Sequence, residues 1–461
     1  MSKVIYDKLK PLTIKRELAP VMLTDETIKE RVAKVIENME EQNLDALVIY
    51  GDLEHGSSFE YLTGFVTRFE EGMLVLHRNQ EAFLLLGNEN INKASKSRIP
   101  AKGIHMPQLS LPNQPMENDG QISLYFENAG LKEGLKVGVV GWKLFTSKVG
   151  QNNTYFDVSS FLIDALKEVV GSKNLSNQTE LLIGSRFGAR VTNNANEIAH
   201  YEFWSQLASQ GIMSALDIIK VGISEMELAH VMQDYGQPRS VVTIAATGER
   251  FELGNIYPTR KEVALGDAMS LTVGYKGGLS SRAGYAAFEK EDLPVEQQDY
   301  LEVLAKPYYK AICTWLETIK VGMVGAELYE KIEEVFPKEV YNWSLNPGHL
   351  FSDEEWLSSP VYPESRTILE SGMMFQTDII PSKAGYAGTS CESGIALADE
   401  ELRAEIKEKY PELYQVFMER RRYMREELGI KLSEDVLPMT DTVAFYRPFF
   451  LNKEKALKIN Y

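Results

Sequence analysis

Cysteine is nearly absent: 461 residues contain only Cys313 and Cys391, too few for the disulfide framework that holds small secreted folds. Histidine is scarce as well, six in all, and neither residue clusters at the spacing of a thiolate or imidazole metal site. Positive charge is in deficit, 49 Lys and Arg against 66 Asp and Glu, for a net charge of −17. So acidic a surface repels phosphate backbones and anionic lipid, which argues against nucleic-acid and membrane partners. No apolar run approaches the roughly 20 residues of a membrane span. The opening stretch MSKVIYDKLKPLTIKRELAP lacks the apolar segment of a signal peptide, so a cytoplasmic location is expected. The P-loop G-x-x-x-x-G-K-[ST], a G-x-G-x-x-G after a strand, the G-x-S-x-G elbow and H-E-x-x-H are all missing, and with them the chemistry they carry.

What is present belongs to a globular protein, with 44% hydrophobic and 25% charged residues. At roughly 150 residues per domain, two or three domains are expected. Ile28, Val32, Val35, Ile36 and Met39 recur at helical spacing, which predicts an amphipathic helix over 27–42. Short apolar runs at 46–50, 72–77, 82–86 and 137–141 read as buried strands, and helices between buried strands indicate an α/β layer domain. The polar stretch Gly171–Thr179 is the best boundary on composition, giving domains 1–175 and 176–461. In the second, Asn194 or Asn196 caps a helix running to about Ile219, and Ser224 with Glu227 forms a capping box. Runs at 268–275 and 281–288 flank Gly277-Gly278 as a hairpin. A long irregular region spans 342–363, strands follow at 372–380 and 389–398, and Arg420-Arg-Arg422 reads as a solvated helix face.

Four stretches together raise a family. Phe59-Glu-Tyr-Leu-Thr-Gly-Phe65 resembles the N-terminal domain shared by creatinase, aminopeptidase P and prolidase. The helix from Asn196, with Ile219-Lys-Val-Gly-Ile-Ser-Glu-Met-Glu-Leu-Ala229, resembles the start of the pita-bread domain of that superfamily. Gly266-Asp267 followed by Met269–Gly274 is similar to the strand carrying its first metal aspartate. Asn346-Pro-Gly-His349, Gly372-Met-Met-Phe-Gln-Thr-Asp378 and Ser390-Cys-Glu-Ser-Gly394 resemble its histidine motif and two closing carboxylate motifs. The resemblance spans about residues 28–400 in the family order. It implies an α/β creatinase-like N-terminal domain and an α+β pita-bread C-terminal domain in a homodimer, with 399–461 as an extension.

The departures shape the functional expectation. Family peptidases hold two divalent cations with two Asp, one His and two Glu. Here the first aspartate falls on Thr272 and the second near Ala283, or on Ser281 if the hairpin is shorter. The histidine is kept as His349, the first Glu becomes Asp378, the last is Glu392, and an upstream substrate-binding histidine falls on Asn255. Two cations about 3.5 Å apart need bridging carboxylates to offset their repulsion, and neutral side chains remove two of them. Creatinase, which the resemblance includes, lacks the metal. The expectation is therefore a metal-independent hydrolase without cofactor, acting on a small cationic amide, amidine or dipeptide-like substrate. His349 would shuttle the proton while Asp378 and Glu392 position the cationic group and activate water. Asn255 and Thr272 are pocket candidates. Arg282 serves as counter-charge if a bulge turns it inward, and Arg68 reaches a partner's site. One alternative is a metal-dependent Xaa-Pro peptidase with a single Mn or Zn ion on His349, Asp378 and Glu392; another is a non-catalytic ligand-binding pseudopeptidase.

Overall fold

Thr24 starts the first helix, Asp25–Glu41, by accepting a hydrogen bond from the Thr27 amide at 3.2 Å. Asp25 and Glu26 then lie in the first turn, where the helix dipole favours acids. Ile28, Val35, Ile36 and Met39 form its buried face. The computed structural model describes residues 3–114, 116, 119–233, 235–254 and 257–461. Two units emerge, Leu23–Val191 and Met1–Met22 with Thr192–Tyr461.

β1 (Lys3–Lys8) belongs to the larger unit. The smaller unit holds β2 (Ala46–Gly51), β3 (Gly72–His77), β4 (Ala82–Leu86), β5 (Lys102–His105), β6 (Val137–Val140) and β7 (Leu175–Asn177). They form one sheet in the order β5-β4-β3-β2-β6-β7. β2 is parallel to β6 and antiparallel to β3, and its six residues are all buried, as expected of a strand covered on both faces. The boundary falls at Val191 rather than at residue 175. The polar stretch that suggested the earlier position contains β7, which pairs with β6 and so belongs to this sheet.

The larger unit contains β8 (Ile244–Thr247), β9 (Ala268–Tyr275), β10 (Gly278–Tyr285), β11 (His349–Leu350), β12 (Met374–Gln376), β13 (Ser390–Glu392), β14 (Gly394–Leu397), β15 (Val436–Pro438) and β16 (Lys455–Asn460). Two four-stranded sheets result, β13-β10-β9-β8 and β11-β12-β14-β15, with a separate β1-β16 ribbon. The helix Ala195–Ile218 packs on β9 and β10, begun by a complete capping box of Asn194 and Glu197. β9 and β10 are joined by Lys276 and Gly277, both at positive φ (40° and 92°), the signature of a tight hairpin turn. A Cβ on Gly277 would sit 1.6 Å from the Ser352 carbonyl oxygen, so only glycine is accommodated.

The C-terminal extension completes this unit. After the helices Glu400–Lys409 and Pro411–Glu426, β15 joins a sheet through β14 and β16 pairs with β1 from Lys3↔Asn460 to Lys8↔Lys455. Arg420 and Arg421 are buried, not on a solvated face. The Arg420 Nε donates to Asp441 Oδ1 at 2.7 Å and its Nη2 to Gln206 Oε1 at 2.9 Å, with Glu202 Oε1 at 2.7 Å. Among the described residues no helix is long and apolar enough to cross a membrane.

Replacing Arg420 by alanine leaves Asp441 buried without its counter-charge, while Glu202 keeps only Arg16. Breaking a buried pair in this way costs about 3–5 kcal/mol, which a lowered urea midpoint for the larger unit measures.

Candidate functional site

The two sheets of the larger unit meet at one residue. β13 ends at Glu392, β14 begins at Gly394, and Ser393 between them carries the chain from one sheet to the other. Thr377 holds that crossing: its amide and hydroxyl both donate to the Ser393 carbonyl, at 3.1 and 3.2 Å. Arg282 holds it from the other side. Its guanidinium donates to the carbonyls of Ser281, Glu392, Thr442 and Phe445 at 2.5–2.9 Å, and to Ser393 Oγ at 3.3 Å. These bonds fix where the Glu392 side chain begins.

His349 approaches from β11. Gly348, at φ +102°, donates its amide to the Asp378 carbonyl at 2.8 Å, and Trp315 Nε1 donates to the Pro347 carbonyl at 2.8 Å. His349 then pairs with Gln376 on β12, and Asp378 follows two residues beyond. The loop after β11 is closed like a hairpin: Leu350 and Ser358 form a bridge, with the Leu350 amide donating to the Ser358 carbonyl at 2.7 Å. It carries Glu355 and Trp356, whose ring stacks on the imidazole at 4.1 Å between centroids.

These elements gather four side chains. His349 Nε2 lies 3.0 Å from Glu355 Oε1, 3.8 Å from Asp378 Oδ2 and 4.0 Å from Glu392 Oε1. His349 is fully buried, Asp378 and Glu392 nearly so, and the Glu355 side chain is 20% exposed. His349 Nδ1 is 3.1 Å from the Leu350 carbonyl oxygen; a carbonyl only accepts, so Nδ1 carries a proton. Nε2 therefore presents either a lone pair or a second proton to the acids. Among the described residues, neither Nε2 nor Glu392 Oε1 has a partner in hydrogen-bond geometry, although Glu355 stands within ion-pair distance of Nε2.

Burial and crowding shift all three inner groups upward. Burial raises Asp378 from its ordinary 3.8 to about 6, with Glu355 adding to the rise and His349 opposing it. Glu392 is pushed well up by burial and by the charges of Asp378 and Glu355, against a smaller pull from Arg282. For His349, burial disfavours the charged ring, but the charge and bonding of Glu355 with the charge of Asp378 prevail and raise it.

The donor set fits one divalent cation. Ligand atoms of His349, Glu355 and Glu392 all lie within 4.8 Å of one another, and an imidazole nitrogen with carboxylate oxygens suits Mn²⁺ or Zn²⁺. Two of these atoms are the buried ones that lack a hydrogen bond. A second ion has no such support. Thr272 pairs with Ser281, and Ser281 with Glu392, across three adjacent strands. The second aspartate position therefore falls on Ser281, because the hairpin turn is tight, and Ala283 instead faces Ser270. The two hydroxyls bond to each other at 2.7 Å.

The expected site residues thus divide. His349, Asp378 and Glu392 come together, with Thr272 on the adjoining row. Arg282 does not join them, which corrects the expected counter-charge: the β9–β10 register is unbroken, no bulge occurs, and the guanidinium is spent on backbone carbonyls. Arg68 is an exposed residue of the smaller unit with its guanidinium 5.6 Å from the Phe69 ring centroid, and Asn255 lies outside the described residues. Cys391 is buried, and burial pushes its thiol up. Glu355 and Trp356 were missed; the one sequence signal was the acid run Asp353-Glu354-Glu355 beside a tryptophan shortly after His349.

A family model, the Creatinase/Prolidase N-terminal domain, matches residues 31–186. Among solved structures, the Xaa-Pro dipeptidase from Bacillus anthracis aligns with a TM-score of 0.60 at 18% identity, covering 81% of this chain and 96% of that one. The prolidase from Pyrococcus horikoshii OT3 gives 0.59 at 19% identity, over 80% and 95% of the two chains. Escherichia coli aminopeptidase P, as a histidine-to-alanine variant, gives 0.57 at 15% identity, over 87% and 99%. No curated protein matches the sequence. At these identities the likeness is one of fold, and it is the fold expected from the ordered motifs.

In the ion-free protein the raised values of Asp378, Glu392 and His349 act in one direction. Each group binds protons more tightly folded than unfolded, so the stability these three contribute is fully present at low pH and is lost as pH rises from about 4 through 6 and beyond. Asp378→Asn removes one of the buried charges. Its unfolding free energy from urea titration in chelator at about pH 8 should rise by on the order of 1–3 kcal/mol and converge with the parent near pH 4. A midpoint lowered at the higher pH would show that the ionised carboxylate is held by a partner.

Proposed function

We infer, for a chain with the fold of the creatinase, aminopeptidase P and prolidase superfamily, a hydrolase of carbon–nitrogen bonds in short peptides and related small amides. The reading is of Xaa-Pro peptidase type, with one divalent cation where the sequence departures speak against two. The observation that carries it is the cluster: His349 Nε2 faces Glu355 Oε1 at 3.0 Å and Glu392 Oε1 at 4.0 Å, and Glu392 Oε1 is buried without a hydrogen bond among the described residues. Buried acids crowded on one imidazole are costly, and a cation among them offsets that cost. The printed names of the structural neighbours, prolidase, Xaa-Pro dipeptidase and aminopeptidase P, support the substrate type. The metal-independent reading has less support, because without a cation the acids must stay protonated near neutral pH to share the pocket.

In this reading His349, Glu355 and Glu392 hold the ion and leave positions open for water and substrate. A bound divalent cation would polarise the scissile carbonyl and lower the pKa of an attached water. Asp378 is the proton-transfer group: its Oδ2 lies 3.8 Å from His349 Nε2, beside the three ligands and outside the set that would hold the ion. The Leu350 carbonyl fixes the imidazole tautomer, and Trp356 stacks on the ring, so Nε2 is aimed before any ligand arrives.

Elemental analysis and calorimetric titration with Mn²⁺ and Zn²⁺ should find one ion per chain, and none in His349→Ala. Asp378→Asn should retain the ion while kcat on Xaa-Pro dipeptides falls roughly 10²–10⁴-fold. Turnover undiminished by chelator would overturn this reading in favour of the metal-independent one. A ligand that stabilises the protein and is never consumed would select the binding-protein alternative.

A further inference from the structure

Glu355 enters a pocket that already holds two buried acids, Asp378 and Glu392, and it does so from an acid run, Asp353-Glu354-Glu355. Like charges in so dry a space repel, so the loop after β11 is pushed outward unless something holds it. The Leu350–Ser358 bridge closes only its ends. Its first residues are held by the turn of the β9–β10 hairpin and by the helix that packs on it. A side chain on Gly277 would collide with the Ser352 carbonyl, so turn and loop are in close backbone contact. Ser352 Oγ lies 3.1 Å from Tyr201 Oη on the helix Ala195–Ile218, and both residues are buried. Lys276, the other turn residue, places Nζ 3.5 Å from Asp353 Oδ1, with the two side chains only 16% and 4% exposed. That Nζ also stands 5.2 Å from the centre of the Trp204 ring, within reach of its negative face.

A pair so covered is weakly screened, and it binds its partners more firmly than a surface pair does. Its base is firm as well, because β9 and β10 are buried along their whole length. Asp353 is two residues from Glu355, so what fixes the one limits the travel of the other. Resting on the single-ion reading above, we propose that Lys276 and Asp353 are positioning residues: their ion pair ties the loop to the β9–β10 turn and keeps Glu355 at His349 against the repulsion of the other acids. The hairpin then contributes to ion binding through a cation at its turn rather than through carboxylates on its strands. Such outer partners commonly decide how well a ligand is aimed.

Hydrogen exchange on the full chain in chelator tests the tether without any ion. In K276M/D353N both charges leave together, so neither is stranded in the interior. The amides of Ser352 and Leu357, which donate to the Glu354 and Leu350 carbonyls, should exchange at least about 10-fold faster than in the parent, while those of β12 and β14 keep their rates. Unchanged exchange in the loop would overturn the tether. Calorimetric titration with Mn²⁺ then asks whether the tether acts through Glu355. The double variant should bind the ion about 10–100-fold more weakly than the parent, and the same two changes made in Glu355→Gln should weaken binding no further. An equal loss in both backgrounds would show a merely structural role and overturn the proposal. Should the double variant not fold, Asp353→Asn alone carries both measurements, with the same signs and a smaller effect. A parent chain that takes up no ion would instead overturn the single-ion reading, and the exchange result would still judge the tether by itself.

Discussion

Negative charge packed into a space that water barely reaches governs this molecule. Asp378 and Glu392 are buried and Glu355 stands within ion-pair distance of His349 beside them, and Arg282, a neighbouring cation, has turned its guanidinium onto backbone carbonyls. Carboxylates so placed repel each other and lack solvent to screen the repulsion. The cluster resolves this in one of two ways: it binds protons, which the raised values of all three inner groups express, or it binds a cation. An imidazole with its Nδ1–H committed to the Leu350 carbonyl leaves Nε2 as a ready ligand for the second. The instability of the empty site and its affinity for positive charge are the same free energy seen from two sides.

Holding such a cluster requires a rigid frame, and the frame is polar. The crossing at Ser393 would be a weak point between two sheets, since its peptide groups pair with neither. Thr377 and Arg282 satisfy them directly. Arg282 is in this sense as much a part of the site as Glu392, although it touches nothing in the pocket: it fixes the backbone from which Glu392 projects. Alternation along β10 puts its side chain on the face opposite Ser281, so one strand presents a hydroxyl to the pocket and a clamp behind it.

Local signals in the sequence were faithful where the physics is local. Of the two caps expected, Asn194 starts its helix, and the capping box at Ser224 forms as read, because such caps need only residues three apart. The buried strands 72–77 and 82–86 keep their expected limits. His349, Asp378 and Glu392 were legible because each sits in a short motif whose order along the chain reports a fold. Glu355 was not: it lies in an irregular loop with no period, and only the Leu350–Ser358 bridge turns it inward. Arg420 read as solvated because helical spacing does not reveal that Glu202, Gln206 and Asp441 wait on other elements. The assignment of residues 1–22 failed for a related reason, since β1 pairs with a strand more than 440 residues later.

The position of the acids, more than their number, sets this site apart from a two-ion arrangement. The β9–β10 hairpin presents neutral hydroxyls in the row beside Glu392, while Glu355 reaches the cluster from the loop after β11. A ligand on a loop is ordinarily less well placed than one on a strand. Here the loop is short, closed by the Leu350–Ser358 pair, and Trp356 stacks on the imidazole, so the loop that carries Glu355 is tied to the strand that carries His349. Glu355 and Asp378 stand close to His349, and Glu392 joins them from β13, directly beside the paired hydroxyls of Thr272 and Ser281. Negative charge thus faces one imidazole nitrogen from three elements and draws positive charge there, while the two neutral hydroxyls bring none of the further carboxylates that a second dication demands.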